Sequence, residues 1–223
     1  MINKWTKSDT KRHGGTLSWE YLDKKISLEE TIETIRKIKV ILTNINNIRI
    51  ENIKLNLALK DKKGEIVKAW SEQPNDLDQT LELINNYDLG EHSLDMVSLR
   101  IDLGILVHVY DSKGEIVRKW LDCSETDLGN RPLELTFSNT KERLRTILQS
   151  YTDVWLPHTW YGQPAGRDPD NTELAKLNLP VLDRVVKSLK SGLGIDLKIA
   201  QELSQTNKEE LILADDKIEF KDE

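Results

Sequence analysis

A sixteen-residue pattern occurs twice in this chain at a fixed offset of fifty. Residues 55 to 70 read LNLALKDKKGEIVKAW and residues 105 to 120 read ILVHVYDSKGEIVRKW. Asp61, Lys63, Gly64, Glu65, Ile66, Val67 and Trp70 therefore recur as Asp111, Lys113, Gly114, Glu115, Ile116, Val117 and Trp120. Each copy is an alternating apolar run, a polar turn ending in Gly, and a second run closed by Trp. That is the signature of a β-hairpin whose Gly supplies the positive φ at the end of the turn. Hairpins at 54–72 and 98–122 fix the middle of the chain as antiparallel sheet, and the other elements must be fitted around them.

The first copy places Leu55, Leu57 and Leu59 on one side of its strand and Asn56, Ala58 and Lys60 on the other, so one of its faces is wet. In the second copy those outward positions become Leu106, His108 and Tyr110, which predicts a strand apolar on both sides, either nearer the centre or covered by a helix. His108 is read as a half-buried structural histidine, because no Ser, Cys or second His stands at a productive spacing along that strand.

Helical periodicity supplies the rest. Ser27 followed by Glu30 is a capping-box pair, and Leu28, Ile32, Ile35, Ile38, Ile41 and Leu42 then predict a helix over 28–43. Asp76 can cap a helix carrying Leu77, Leu81, Ile84 and Tyr87 after the first hairpin. After the second, a short strand at 133–137 is expected, then a helix capped by Ser138 or Asn139 and carrying Leu144, Ile147, Leu148 and Tyr151. Pro180 suits the first turn of a helix with Val181, Leu182, Val185, Val186 and Leu189, ended by Gly192 and Gly194. A further short helix is expected over 195–203. The expected fold class is α+β: a mainly antiparallel sheet from two related β-hairpin-plus-helix units, with an N-terminal helix and a helical C-terminal segment.

Five regions follow: a basic, aromatic N-terminal arm (1–25), a duplicated core (26–153), an irregular aromatic loop (154–171), C-terminal helices (172–206) and an acidic tail or small hairpin (207–223). The 223 residues carry a net charge of −6, yet the arm holds Lys4, Lys7, Lys11, Arg12, Lys24 and Lys25 against Asp9, Glu20 and Asp23. The body is thus more acidic than the total suggests, and it repels phosphate backbones, which leaves nucleic-acid binding to the arm alone. No apolar run approaches the roughly 18 to 20 residues of a membrane span, and the N-terminus lacks the apolar middle of a signal peptide. Cys123 is the single cysteine, so no intrachain disulfide can form and a cytoplasmic setting is expected.

Strong catalytic motifs are missing from the sequence: no Walker loop, dinucleotide fingerprint, HExxH, paired Cys-x-x-Cys or GxSxG elbow. The carboxylates of Asp122 and Glu125 disfavour a Cys123 thiolate. The irregular stretch VWLPHTWYGQPAGRDPDN, with its three prolines and two glycines, is the main candidate for a contact surface. Its Trp155, His158, Trp160, Tyr161 and Arg167 have the composition of an interface hot spot. Arg12 with Gly14 and Gly15 forms a second candidate, since successive glycines let backbone N–H groups converge on an anion.

These features favour a cytoplasmic protein-binding module, of the inhibitor, immunity-protein or assembly-factor kind, acting by surface complementarity. It needs no cofactor or metal, and an acidic body suits a partner with a basic surface. The alternative is a small hydrolase or phosphoryl-transfer enzyme in which His13, His158 and Asp168 converge as acid, base or metal ligands, with Arg12 and Arg167 clamping an anion. A third reading is a nucleic-acid-associated factor led by the basic arm.

Overall fold

A computed structural model describes residues 17–86, 92–122, 132–152, 154–155, 172–200, 211–214 and 217–220. The fold is α+β, with every described strand pair antiparallel. Strand β1 (Leu17–Lys24) comes first and helix α1 (Leu28–Thr43) second. The helix expected to be N-terminal therefore follows a strand, inside the segment read from sequence as an arm. Its start is built locally: Glu30 N–H donates to Ser27 Oγ at 3.1 Å, and Ser27 N–H donates to the Glu30 carboxylate at 2.8 Å. That second bond holds the Glu30 carboxyl below its ordinary pKa. On β1, the Tyr21 hydroxyl donates to Asp23 at 2.6 Å, which lowers the Asp23 carboxyl and raises the Tyr21 phenol.

The first ribbon is β2 (Ile48–Lys60) with β3 (Ile66–Glu72), and helix α2 (Leu77–Asn85) follows it, capped by Asp76. The second ribbon joins β4 (Ser93–Tyr110) to β5 (Ile116–Leu121). Among the described residues no helix follows this second ribbon: β6 (Leu133–Asn139) and β7 (Arg143–Ser150) form another hairpin. The expected hairpin-plus-helix duplication and the helix ending at Tyr151 are thus corrected.

The cause is an ambiguous period. Leu144, Ile147, Leu148 and Tyr151 satisfy helical spacing, but Leu144, Thr146, Leu148 and Ser150 alternate equally well. Two partner strands, β6 and β1, decide for extended chain. Asn139, expected as a helix cap, is buried; its amide donates to Ile26 O at 2.9 Å and Thr31 Oγ1 at 2.7 Å, tying the end of β6 to the start of α1.

Helix α3 (Thr172–Leu193) begins well before Pro180, which lies in its interior and not in its first turn. An interior Pro removes one helical hydrogen bond and costs about 3 kcal/mol. Burial of Leu174, Ala175 and Asn178 on one side of Pro180, and of Leu182, Val185 and Val186 on the other, holds the helix through it. The short helix expected over 195–203 is replaced by β8 (Lys198–Ala200), which pairs with β1. Strands β9 (Leu211–Ala214) and β10 (Lys217–Phe220) pair with each other.

The main sheet runs β3-β2-β4-β6-β7-β1-β8, with β5 also on β4. Ile105 pairs with both Ile48 of β2 and Leu121 of β5, so β5 lies on the β6 side of β4 and continues the line that β6 begins. One sheet face carries the core. Leu55, Leu99 and Phe137 share a register row, as do Ile53, Ile101, Leu135 and Leu148, and all are buried beneath the helices. The other face is polar: one row reads Lys54, Arg100, Thr136, Ile147 and Glu20, and the next holds Asn52, Asp102, Glu134 and Gln149. Among the described residues no helix is long and apolar enough to cross a membrane.

Candidate functional site

The two ribbons share one turn. Gly64 N–H donates to Asp61 O at 3.0 Å and Asp61 N–H to Glu65 O at 3.0 Å; the matching bonds in the second ribbon are 3.1 Å from Gly114 to Asp111 and 2.9 Å from Asp111 to Glu115. The Asp61 carboxylate accepts from Lys63 and Glu65 N–H, as Asp111 accepts from Lys113 and Glu115. Gly64 and Gly114 sit at φ of 83° and 80°. Turn geometry therefore accounts for Asp and Gly recurring in both copies.

It does not account for Ile and Val. Ile66 is 63% exposed, Val67 48% and Val117 37%. β3 is the outermost strand beside β2 and is exposed at every position except the half-buried Trp70. Among the described residues β5 pairs only with β4. Each ribbon thus presents an Ile-Val pair, a cation two residues before the Trp, and an edge without a strand partner among the described residues. Lys68 lies over Trp70 at 5.3 Å from the ring centroid, whereas the Trp120 ring is covered by Arg49 from β2 at 4.7 Å.

Arg49 reaches Trp120 because Gly104 lies between them on β4. A Cβ at Gly104 would come within 2.5 Å of the Glu51 carboxylate and 3.2 Å of Arg49 Cγ. Arg49 also pairs with Glu51 and, at 3.0 Å, with Asp122 beyond β5. The base of the second ribbon is thereby tied across β4 to β2.

A second tie comes from α3. β2 begins at Ile48, so among the described residues no strand lies beside the edge of β4 beyond Leu106 on that side. Asn47 satisfies Leu106, accepting its N–H at 2.8 Å and donating to its carbonyl at 3.1 Å. One step further, Asn178 takes over: His108 N–H donates to Asn178 Oδ1 at 2.7 Å and Asn178 Nδ2 donates to His108 O at 2.8 Å. The same Nδ2 also donates to Val154 O at 3.0 Å, so this fully buried amide uses both protons and its oxygen.

Of the side chains singled out from sequence as a site, Trp155 alone falls among the described residues. It is fully buried, and its Nε1 donates to Ser150 Oγ at 2.7 Å. The contact-surface role expected of it is replaced by a place in the core. Arg12, His13, Gly14, Gly15, His158, Trp160, Tyr161, Arg167 and Asp168 lie outside the described residues, as does Cys123. His108 is half-buried, with its Nδ1 lacking a hydrogen-bond partner among the described residues. Among those residues no three His, Cys, Asp or Glu side chains group to hold a metal ion.

Sequence reasoning missed a polar cleft of about 470 Å³ on the open sheet face, between Lys54 and Arg100 of the sheet and Gln73 to Asn75 of the β3–α2 connector. Its signal was the alternation of Arg100 and Asp102 with Ile101 and Leu103 in β4. No protein-family model matches the chain, and comparison with curated proteins and with solved structures finds no match either.

Proposed function

We propose that this chain is a protein-binding module that acts by surface complementarity, and that its contact surface is the pair of ribbons. The observation that supports this reading is where the two copies agree. The outward residues of their first strands differ, with Asn56, Ala58 and Lys60 answered by Leu106, His108 and Tyr110, while the exposed Ile66-Val67 pair recurs as Ile116-Val117, of which Val117 is exposed and Ile116 half-buried. Strand propensity favours β-branched residues here but burial does not reward them, and a partner that reads them supplies a further reason for both to recur.

An open edge favours an extended segment of another protein, added as a further strand, with main-chain hydrogen bonds supplying affinity and alternate side chains supplying choice. Lys68 and Arg118, at equivalent positions on the two edges, favour carboxylates on that segment. The net charge of −6 favours a basic surface elsewhere on the same partner through long-range attraction. Two equal ribbons allow two-point attachment, in which the second contact forms at high effective concentration. The single cysteine supports the cytoplasm as the setting.

Photo-crosslinkers placed at Val67, Val117 and, as an exposed apolar control on α1, Val40 test this reading. Labelling of one and the same protein from positions 67 and 117 but not 40, lost in V67D/V117D, is the expected result. Equal labelling from position 40, or none from either ribbon, overturns it.

A further inference from the structure

The cleft beside the β3–α2 connector is lined by the sheet portions of β2 and β4 and uses none of the residues at the ribbon tips. We propose that it is a binding site for a small oxyanion-bearing molecule, a carboxylate or a phosphate. Lys54 and Arg100 are register partners on neighbouring strands and both belong to the open face. Like charges directly opposite each other weaken a sheet, so a pair of cations in this position asks for an anion between them.

The protein's own anions meet that need in part. Asp102 approaches Arg100 Nε at 3.5 Å, and that buried Nε has no hydrogen-bond partner. Glu51 also lines the cleft, but Arg49 already engages its carboxylate. Lys54 has no ion pair or hydrogen bond with any described residue. The Lys54 ammonium is thus left with unused capacity, beside an Arg100 whose guanidinium is only partly used by Asp102.

The walls suit a small polar guest. Asn52, Gln73 and Asn75 contribute side-chain amides, which can donate to the remaining oxygens of an oxyanion or accept from a hydroxyl or amine on it. The connector itself is fixed: Asn75 N–H donates to Gln79 Oε1 at 2.7 Å, and Gln79 N–H donates to the Asp76 cap at 2.8 Å. Pro74 is buried, which holds this wall in place. Asp102 and Glu51 at the margin disfavour multiply charged anions and favour a monoanion, or a zwitterion whose ammonium faces them. A volume of about 470 Å³ falls within the range of small-molecule sites.

The test titrates the full chain with inorganic phosphate and, separately, with acetate and glycine, at ionic strength held constant with chloride, while amide resonances are followed by NMR. The expected result is saturable shifts confined to residues 52–54, 73–75 and 100, for at least one of the three probes. Affinity should fall tenfold or more in Lys54→Gln and in Arg100→Gln, be largely kept in Lys54→Arg, and be unchanged in Lys37→Gln, an exposed control on α1. Saturation by phosphate alone assigns a phosphoryl ligand, by acetate and glycine a carboxylate. Shifts that do not saturate, or that weaken equally in Lys37→Gln, overturn the proposal.

Discussion

The two ribbons carry the same turn and the same Ile-Val pair, yet they are held in different ways. The first stands at the margin of the sheet: β3 is exposed along both faces, and its Trp70 is covered by Lys68 from its own strand. The second is rooted. Leu121 is fully buried, Trp120 lies under Arg49 from β2, and Asn178 of α3 completes the backbone of His108. A conserved tip on two different bases shows that local chemistry sets the turn while distant residues set how firmly it is carried.

The largest expected effect removes that difference. Asn178→Leu keeps the volume but leaves His108 N–H, His108 O and Val154 O without their partner, and should destabilise the protein by about 3 kcal/mol in urea unfolding. Hydrogen exchange should speed at His108 and its neighbours in β5 and stay unchanged in β3. Equal acceleration in both ribbons would show that the second is no better rooted than the first.

A smaller loss is expected from Gly104→Val, whose side chain collides with Glu51 and Arg49. Overpacking of this kind costs about 1–3 kcal/mol, and displacement of Arg49 from the Trp120 ring should change the indole emission. The first ribbon should keep its exchange rates.

Smaller again are Gly64→Ala and Gly114→Ala. Neither new methyl group meets anything within 4 Å, so each measures the backbone cost of a positive φ alone, about 1 kcal/mol. Equal shifts in melting temperature would sharpen the comparison, and unequal shifts would break the identity of the turns.

The smallest effect lies outside both ribbons. The Glu30 carboxyl is lowered by the Ser27 N–H, so its contribution is complete above the ordinary carboxylate pKa and is lost as pH falls through the lowered value. Glu30→Gln should flatten that acid limb of the stability curve while leaving exchange in β3 and β5 as it was.

What was readable in the sequence is what neighbouring residues decide. Asp61 with Gly64, Asp111 with Gly114, and Ser27 with Glu30 each make their bonds within four residues, so spacing alone exposes them. Residues 143–150 were misread because Leu144 and Leu148 fit two periods, and the choice depends on β1, more than a hundred residues away. Pro180 was misplaced because local preference forbids what buried neighbours permit. Trp155 was recognised as an anchor, but whether it anchors a partner or the core depends on Ser150 and on the packing around it. The Lys54–Arg100 cleft was invisible because it exists through strand register, joining residues that are far apart along the chain.

Asn178 also makes the tie between α3 and the second ribbon depend on a single amide group. Hydrolysis of its amide to a carboxylate would change almost nothing in shape, but it would exchange two donors for a charged acceptor facing two carbonyl oxygens. A lesion of one atom would then turn an attraction between the C-terminal helix and the second ribbon into a repulsion.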